Sequence, residues 1–453
     1  MNITKRADPA GILSISLPSP LNEHHVYIEW YLDNRAGGPP GYLANLLCGL
    51  NQIQNYDKPL ILFDSYKGQK PCTEIAKINP FIKAVKTIVL LLPNGKDFYA
   101  EHFSKTQKRL YNEMMSFLSD PDEIMPDFNM VKAIDWSKTK TIHVHTVIDV
   151  VKIKNYLRRN YLDDVKVILS CHTPEPYSQE QLALSIDGGQ SRKKAQKLAD
   201  RWRQVELRGY READIMIFPS EEAMEPLLNA LPEFGDLISQ KDIRYMATGC
   251  IPLRPQLSVV EAKRKYEVEG KTVIGYIGRH NSIKGYDLLK AAAQICLSER
   301  DDIVFLIGGE KGKAFQPLSH PRWIEMGRVN PAEMLQAVDV FVLPNRQTYF
   351  DLILLEVMSM GLPVIATETG GNKSVKKIAD ELMLCEPDSM SLARKIREFL
   401  DYPESERKKI GHSLLLKYQE HYTEQLFAQR YVDIIRGIYD DYNLWTESDV
   451  KNK

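Results

Sequence analysis

Short runs of apolar, largely β-branched residues recur along the chain, and segments with helical periodicity separate them. Several of these runs are continuous rather than alternating, which is typical of strands covered on both faces of a parallel sheet. Strands that alternate with helices predict doubly wound α/β units. The predicted strands cover residues 25–30, 60–63, 87–92, 141–145, 166–171, 214–218 and 243–247 in the first half of the chain, and 272–277, 303–307, 323–326, 340–343, 364–366 and 383–385 in the second.

The length of the chain predicts more than one domain, because 453 residues exceed what a single hydrophobic core usually organises. Pro252 and Pro255 precede a charged stretch, after which a new strand–turn–helix pattern begins. We therefore place a hinge near residues 252–270. The predicted units are a first α/β domain, a second α/β domain and a C-terminal helical segment, at residues 1–255, 265–422 and 423–453.

The last long helix is predicted at about Thr423–Tyr442 and carries an apolar side. That side consists of Leu426, Tyr431, Ile434, Ile435 and Ile438. Because an apolar helix face must be buried against something, we expect this helix to pack back across the cleft between the domains.

The composition of the chain argues against several classes of function. Lys and Arg together number 59 and Asp and Glu 60, so the net charge of -1 gives no general electrostatic reason to expect a nucleic-acid partner. The six cysteines are scattered without C-x-x-C spacing, which favours neither a zinc site nor a disulfide framework. Since neither a signal peptide nor a spanning apolar run is found, we expect a soluble, cytoplasmic protein.

One predicted helix, Gln190–Glu212, has a dense basic face. Such a face is commonly just solvated. The alternative is peripheral contact with an anionic acceptor or with the inner face of a membrane, and the sequence leaves both open.

A strand–turn–helix at Val273–Leu289 has the residues of a diphosphate site. The strand ends at Gly278, and Arg279 and Lys284 lie in the turn before an amphipathic helix. Backbone N–H groups and the positive dipole end of a helix attract an anion, and the two cations neutralise its charge. An ordinary strand–helix connection with surface charges is the alternative.

A second strand–loop–helix, Val340–Asn372, places a carboxylate in apolar surroundings. Glu356 lies on a short helix that begins near Leu352 and ends at Gly361. A carboxylate among apolar residues is costly unless it is paired, so Glu356 is a candidate to bind the two vicinal hydroxyls of a ribose. The alternative places Glu356 on the solvent side of the helix.

These two segments resemble the retaining, two-domain (GT-B) glycosyltransferases of family 4. That family has two Glu residues eight positions apart around a Gly-Phe-Gly-Leu turn, followed by Gly-x-Pro-Val-Ile-Ala-Thr and paired glycines. The matching residues here are Glu356, Met358, Gly361, Pro363, Val364, Ile365, Ala366, Thr367, Gly370 and Gly371, with Gly278, Arg279, Lys284, Gly285, Ile307–Gly309 and Gly327 upstream. The resemblance is looser in the first half, where Gly37–Gly38, His172 and Ala213–Ser220 carry it.

The resemblance implies a GT-B architecture, with two Rossmann-like parallel-sheet domains facing a central cleft. It implies that Arg279 and Lys284 bind the donor diphosphate, that Glu356 holds the ribose, and that His172 projects towards the donor sugar. It also implies further donor-binding residues: Gly37 and Gly38 in a close-approach loop, Gly278 beside the diphosphate, Gly327, Arg328 and Val329 bordering the base, and Thr348, Phe350 and Leu352 in the turn.

The turn departs from the family pattern. Thr348 stands eight positions before Glu356, where the family has its first Glu. Asp351 either returns a carboxylate to the same turn or caps the helix that begins at Leu352. Both interpretations remain open at this stage, and either one predicts an altered sugar specificity.

The sequence therefore predicts retaining transfer of a sugar from a nucleoside diphosphate sugar, with a UDP-sugar favoured, to a carbohydrate, lipid-linked or protein acceptor in glycan or surface polysaccharide synthesis. The expected catalytic residues are His172, Arg279, Lys284 and Asp351. We expect no cofactor and no metal, because no Asp-x-Asp pair follows a strand and cations stabilise the departing diphosphate. The alternatives are a catalytically silent relative that acts as a partner subunit, and a nucleotide-sugar epimerase.

Overall fold

The computed structural model describes residues 23–28, 38–53, 60–63, 124–187, 189–310, 312 and 316–444. Within these residues the chain forms two six-stranded sheets, one in each half, and every strand pairing is parallel. The strand predicted at 87–92 lies outside the described residues. The other twelve predicted strands are all present, so the α/β fold class is confirmed.

The first sheet has the strand order β2-β1-β3-β4-β5-β6. Its strands are β1 (His24–Ile28), β2 (Leu60–Phe63), β3 (Thr141–Val144), β4 (Lys166–Ser170), β5 (Ile215–Phe218) and β6 (Asp242–Tyr245). The order reverses between β1 and β3. In open parallel sheets such a reversal creates a crevice at the carboxyl ends of the strands, where ligands bind.

Seven described helices accompany the first sheet: α1 (Pro39–Gln52), α2 (Phe128–Lys132), α3 (Val147–Arg159), α4 (Tyr177–Asp187), α5 (Arg192–Glu212), α6 (Glu225–Ala230) and α7 (Pro232–Ile238). Thr146 begins α3, because its hydroxyl accepts a hydrogen bond from the Asp149 N–H at 3.1 Å. Helix α5 confirms the helix predicted at 190–212. Its first turns are exposed and basic, with Arg192, Lys193 and Lys194 at the surface.

The second sheet has the order β12-β11-β10-β7-β8-β9. Its strands are β7 (Thr272–Ile277), β8 (Ile303–Gly308), β9 (Trp323–Gly327), β10 (Val340–Leu343), β11 (Val364–Thr367) and β12 (Met383–Cys385). Read from β9 to β12, this is the doubly wound order of a Rossmann sheet. The order reverses between β7 and β10, so the loops after these two strands border the expected ligand crevice.

The second sheet is covered by α8 (Val259–Lys265), α9 (Tyr286–Glu299), α10 (Pro331–Leu335), α11 (Leu352–Ser359), α12 (Gly371–Ile378), α13 (Ser389–Asp401) and α14 (Glu404–His421). Helix α8 falls within the predicted hinge, yet a Ser258–Glu261 capping box begins it and Ala262 packs in one cluster with Val273 of β7. The connection between the two sheets is therefore shorter than the predicted hinge.

The last described helix, α15 (Glu424–Asp441), returns to the first sheet. Its buried residues Phe427, Tyr431 and Ile435 share a cluster with Val26 of β1 and Leu46 of α1. The apolar face seen in the sequence is thus buried on the first unit, after the chain has completed the second. No helix in the described part of the chain is both long enough and apolar enough to cross a membrane.

Candidate functional site

The carboxyl ends of the two sheets meet at a cleft. Tyr349, in the loop after β10, is only 5% exposed and belongs to the hydrophobic core of the first unit. Its ring centroid lies 6.2 Å from that of Phe218, at the end of β5, and 6.5 Å from that of His172, which follows β4. The structure therefore brings the predicted turn of the second unit against the predicted histidine of the first.

The loop after β7 fits closely against its neighbours. The Gly278 N–H donates to the Gly308 carbonyl at 3.1 Å, and a Cβ on Gly278 would lie 2.6 Å from the Tyr276 hydroxyl. Gly285 has φ 64°, and a Cβ there would lie 1.7 Å from the Pro344 carbonyl oxygen. The left-handed backbone and the close approach to Pro344 both require a glycine at position 285. The loops after β7 and β10 are thereby held side by side.

Lys284 is paired with Asp351 across these two loops. The Lys284 Nζ donates to the Asp351 Oδ1 at 2.5 Å, and the Asn345 side-chain amide donates to the other carboxylate oxygen. Asp351 stands at the N-cap position of α11 but makes no side-chain capping hydrogen bond, so the capping interpretation is wrong. Its carboxylate instead lies directly beside one of the two predicted diphosphate-binding cations.

Arg279 is exposed in the loop after β7. Its carbonyl accepts a hydrogen bond from the Tyr276 hydroxyl at 3.0 Å, which fixes the backbone. Burial raises the pKa of the Glu175 carboxyl in the first unit, Glu180 raises it further, and the positive charge of Arg279 opposes both. Arg279 is therefore within electrostatic reach of the β4–α4 loop across the cleft.

Glu356 lies on α11 between the buried residues Leu355 and Val357. Burial raises the pKa of Glu356 to about 7. Among the described residues, none forms a hydrogen bond or ion pair with its carboxylate. A partly buried carboxyl with these properties is one of the features by which functional sites are recognised.

The end of β9 borders open space. Gly327 has φ 66°, and a Cβ on it would meet no atom within 4 Å in the described part of the chain. The Arg328 side chain is 83% exposed and pairs with Glu310 at 3.1 Å. Val329 packs beneath Gly308, where an added Cβ would lie 2.8 Å from a Val329 methyl carbon. These three predicted base-bordering residues lie at the same edge of the sheet as Gly278.

The remaining predicted donor-binding residues differ in exposure. Gly38 has φ 71° at the start of α1, and a Cβ on it would meet no atom of the described residues within 4 Å, while Gly37 lies outside those residues. Phe350 and Leu352 are partly buried in the turn. Thr348 is fully buried, and its hydroxyl has no hydrogen-bond partner among the described residues.

His172 forms a pair with His145. The His172 Nε2 and the His145 Nδ1 are 2.8 Å apart, and the two rings stack with centroids 5.1 Å apart. Burial lowers the pKa of His172 to about 3 and also lowers that of His145, so both rings are neutral near pH 7. In the sequence, His143 and His145 lie at the end of the preceding strand, where a packing role is at least as expected as a functional one. His143 does bond only to Tyr431 and Ser170 in the described structure.

The paired glycines at the start of α12 are covered by a carboxylate of the first unit. The Gly370 N–H donates to the Glu225 Oε2 at 2.9 Å, and the Lys373 Nζ donates to the Glu225 Oε1 at 2.9 Å. Lys377 pairs with Glu222 in the same region. No local pattern in the sequence predicts this contact, because it joins residues about 145 positions apart.

No group of three or more His, Cys, Asp or Glu side chains in the described part of the chain is arranged to hold a metal ion. The charged groups of the cleft are instead cations on the second unit that face carboxylates, with Lys284 beside Asp351 and Lys373 beside Glu225.

Residues 271–402 match the family model described as Glycosyl transferases group 1. The second unit is a group 1 glycosyltransferase domain. The resemblance drawn from Glu356 and the glycine-rich segments is confirmed. Eight curated proteins match, and the aligned segments span 27% to 51% of their lengths. One of them, the N-acetyl-alpha-D-glucosaminyl L-malate synthase of Bacillus anthracis, is 28% identical over 198 residues, which cover 41% of this chain and 51% of that protein.

Solved structures extend the likeness beyond the group 1 glycosyltransferase domain. Sucrose-phosphate synthase from Thermosynechococcus elongatus superimposes with a TM-score of 0.58 at 16% identity, covering 92% of this chain and 100% of that one. A trehalose-6-phosphate protein from E. coli, bound with UDP-2-fluoro glucose, superimposes with a TM-score of 0.54 at 12% identity, covering 90% and 98%. At such low identity these matches show the fold, and they confirm the predicted GT-B architecture.

Proposed function

We propose that this protein is a retaining glycosyltransferase that moves a sugar from a nucleoside diphosphate sugar to a hydroxyl acceptor. One observation carries the proposal: at the reversal of the second sheet, Lys284 pairs with Asp351 at the start of α11, Arg279 lies in the same loop as Lys284, and α11 carries the Glu356 carboxylate, which has no partner among the described residues. This arrangement combines positive charge, helix N–H groups and an acceptor for hydroxyls, which are the groups that a nucleoside diphosphate requires.

The two cations would act on the diphosphate as it leaves. Glycosyl transfer passes through an oxocarbenium-like transition state while negative charge grows on the departing group. Arg279 and Lys284, aided by N–H groups at the start of α11, would stabilise that charge. We expect no metal or other cofactor to be needed, because these residues supply the positive charge themselves.

Glu356 would hold the ribose. An ionised carboxylate accepts hydrogen bonds from two vicinal hydroxyls, and such bonds replace the water that burial has removed. The pKa of Glu356 is raised because burial has removed that water. Gly327, Arg328 and Val329 would border the base, and Gly38 would let the first unit approach the donor closely.

The donor that we favour is a UDP-sugar, and the E. coli neighbour bound with UDP-2-fluoro glucose supports this choice. His172 would contact the donor sugar from the first unit, and Asp351 would return a carboxylate to the turn in which Thr348 stands. The acceptor would be a carbohydrate, a lipid-linked glycan or a protein in the cytoplasm. The exposed basic start of α5 would allow peripheral contact with an anionic membrane.

A thermal-shift panel of UDP-, GDP- and ADP-sugars tests donor binding. A donor present at 100-fold its Kd should stabilise the protein by about 2.7 kcal/mol. Replacing Lys284 or Arg279 by alanine should lower turnover by roughly 10²-fold or more, since each change removes stabilisation of the leaving group. Lys290→Ala, on the neighbouring helix α9, serves as the matched control. Near-normal transfer by both cleft variants would refute the assigned roles.

Two contacts favour a second candidate, a catalytically silent relative that acts as a partner subunit. Lys284 already has Asp351 as its counter-ion, and the side chain of Tyr349 fills space beside His172. Donor hydrolysis without acceptor distinguishes the two, because a silent protein releases no nucleotide. Analysis of the released sugar would in turn separate a transferase from a nucleotide-sugar epimerase.

A further inference from the structure

We infer that His145 is a positioning residue for His172, and that it fixes the tautomer in which His172 presents its Nδ1–H to the cleft. The contact between the two rings is the basis of the inference. The His145 Nδ1 and the His172 Nε2 are 2.8 Å apart, which is hydrogen-bond distance. The tautomer follows from this contact and from the burial of the two rings, whereas its use in sugar transfer rests on the proposed function.

Only one proton can lie between the two rings. Burial lowers the pKa of both histidines, so each ring is neutral and carries a single N–H. Either His172 donates from Nε2 to His145, or His145 donates from Nδ1 to His172. The two arrangements leave different atoms exposed on the far side of each ring.

The Nε2 of His145, the ring nitrogen that does not face His172, decides between the two arrangements. This Nε2 is buried and has no hydrogen-bond partner among the described residues. If His172 donated, the proton of His145 would sit on this Nε2 as a buried N–H without an acceptor. Orphaned N–H groups are rarer in protein interiors than orphaned acceptors. The structure therefore favours donation by His145, which leaves only an unused lone pair on its Nε2.

The neighbouring rings keep His145 in place without offering it another partner. The His143 ring packs against that of His145, with centroids 4.4 Å apart and planes tilted by 38°, but both nitrogens of His143 are engaged, with Tyr431 and Ser170. On the other side the Tyr42 ring lies 4.3 Å from that of His172. Ring contacts thus hold both histidines in place, while the hydrogen bond between them sets their relative orientation.

With its Nε2 accepting from His145, His172 carries its proton on Nδ1. The Nδ1 has no hydrogen-bond partner among the described residues, and the residue is half-buried at the cleft. His172 is then a neutral hydrogen-bond donor, suited to a hydroxyl or ring oxygen of the donor sugar. In this tautomer its one lone pair is already occupied, so it does not serve as a general base.

Nuclear magnetic resonance of the full chain labelled with ¹⁵N-histidine tests the tautomer directly, with His172→Asn used to assign the signals. We expect an Nδ1–H form for His172 in the wild type. His145→Phe keeps a ring but removes the donor, so His172 should shift towards the Nε2–H form. His145→Asn places an amide N–H near the former Nδ1 and should restore the Nδ1–H form.

Turnover supplies the second readout. His145→Phe should lower kcat by about tenfold, the effect of one misplaced hydrogen bond, and His145→Asn should recover most of it. A wild-type His172 in the Nε2–H form, or a tautomer unchanged in His145→Phe, would overturn the inference. Because the spectrum needs no substrate, a failure of the proposed activity is recognised separately. The Asn variant also keeps the test valid if the Phe variant does not fold.

Discussion

At the scale of single residues, Glu356 links stability to pH. Its pKa is raised from 4.5 to about 7 in the folded protein, so the folded state holds this proton more tightly than the unfolded chain does. Stability is therefore lost as the pH rises from about 4.5 to 7. Glu356→Gln removes the ionisation and should stabilise the protein at pH 8 by on the order of 2 kcal/mol relative to wild type, with little difference at pH 4. Urea unfolding at the two pH values measures this.

The same carboxyl makes donor binding depend on pH. If the ionised form accepts hydrogen bonds from ribose, the affinity for a nucleotide sugar should rise between pH 6 and 8. A nucleotide sugar is the suitable probe, because its diphosphate is a diester without a proton to lose in this range. Calorimetric titration should show the rise in wild type and in the exposed control Glu404→Gln, but not in Glu356→Gln. An equal rise in all three proteins would remove Glu356 from the donor site.

At the scale of elements, the contact between α1 and α15 depends on one glycine. A Cβ on Gly49 of α1 would lie 1.9 Å from the Glu424 carbonyl oxygen and 2.8 Å from the Ala428 Cβ, so the two helices approach backbone to backbone. Gly49→Ala should force them apart and lower the free energy of unfolding by roughly 1–3 kcal/mol, as overpacking does.

Gly437 offers the matched control on α15. Within the described residues, a Cβ at Gly437 would meet no atom within 4 Å, and the residue lies inside the helix. Gly437→Ala should therefore raise the free energy of unfolding by about 0.5–1 kcal/mol, because alanine is the better helix former. Chemical denaturation of both variants gives opposite signs if the backbone contact is as described. Two stabilising substitutions would mean that α15 does not dock closely on α1.

The elements themselves were largely accessible to sequence reasoning. Strands such as Val340–Leu343 are continuous apolar runs, and that local pattern is enough to predict a strand buried on both faces. The helix α8 was missed because its charged sequence resembles a linker, while its burial depends on Ala262 meeting a distant strand. Boundaries that depend on such tertiary contacts cannot be read from local periodicity.

In the candidate site, too, local features could be predicted from the sequence and long-range contacts could not. The glycines and the cation pair after β7 carry their own local signal, so the sequence placed them at a strand end. The ion pair between Lys284 and Asp351 joins residues 67 positions apart, and the pair of His145 and His172 joins residues 27 apart. Such contacts depend on how the sheets bring their loops together, so the sequence predicted Lys284, Asp351 and His172 but not their partners, and it assigned no site role to His145.

At the scale of the whole molecule, two kinds of contact hold the two units together. The ion pairs of Glu225 with Lys373 and of Glu222 with Lys377 are partly exposed, with Lys377 at 69%. Exposed pairs of this kind contribute about 0–1 kcal/mol each and weaken in salt. Tyr349, in contrast, is inserted into the core of the first unit. Truncating a buried aromatic side chain costs roughly 3–5 kcal/mol, so the apolar contact should dominate.

Small-angle scattering distinguishes these contributions. Because about 1 M sodium chloride screens the exposed ion pairs but does not screen the apolar contact, the wild-type radius of gyration should stay unchanged between about 0.1 M and 1 M sodium chloride. Tyr349→Ala should enlarge it at both concentrations and lower the Tm, while Tyr161→Ala, at a position that is 90% exposed, should do neither. The opposite result would be a wild-type radius of gyration that grows in salt while Tyr349→Ala stays compact. The ion pairs of Glu225 and Glu222 would then be the contacts that hold the two units together. The cleft would then respond to ionic strength and to an incoming anion, because a donor diphosphate competes with Glu225 for the positive charge of Lys373 but has no means of displacing a buried ring.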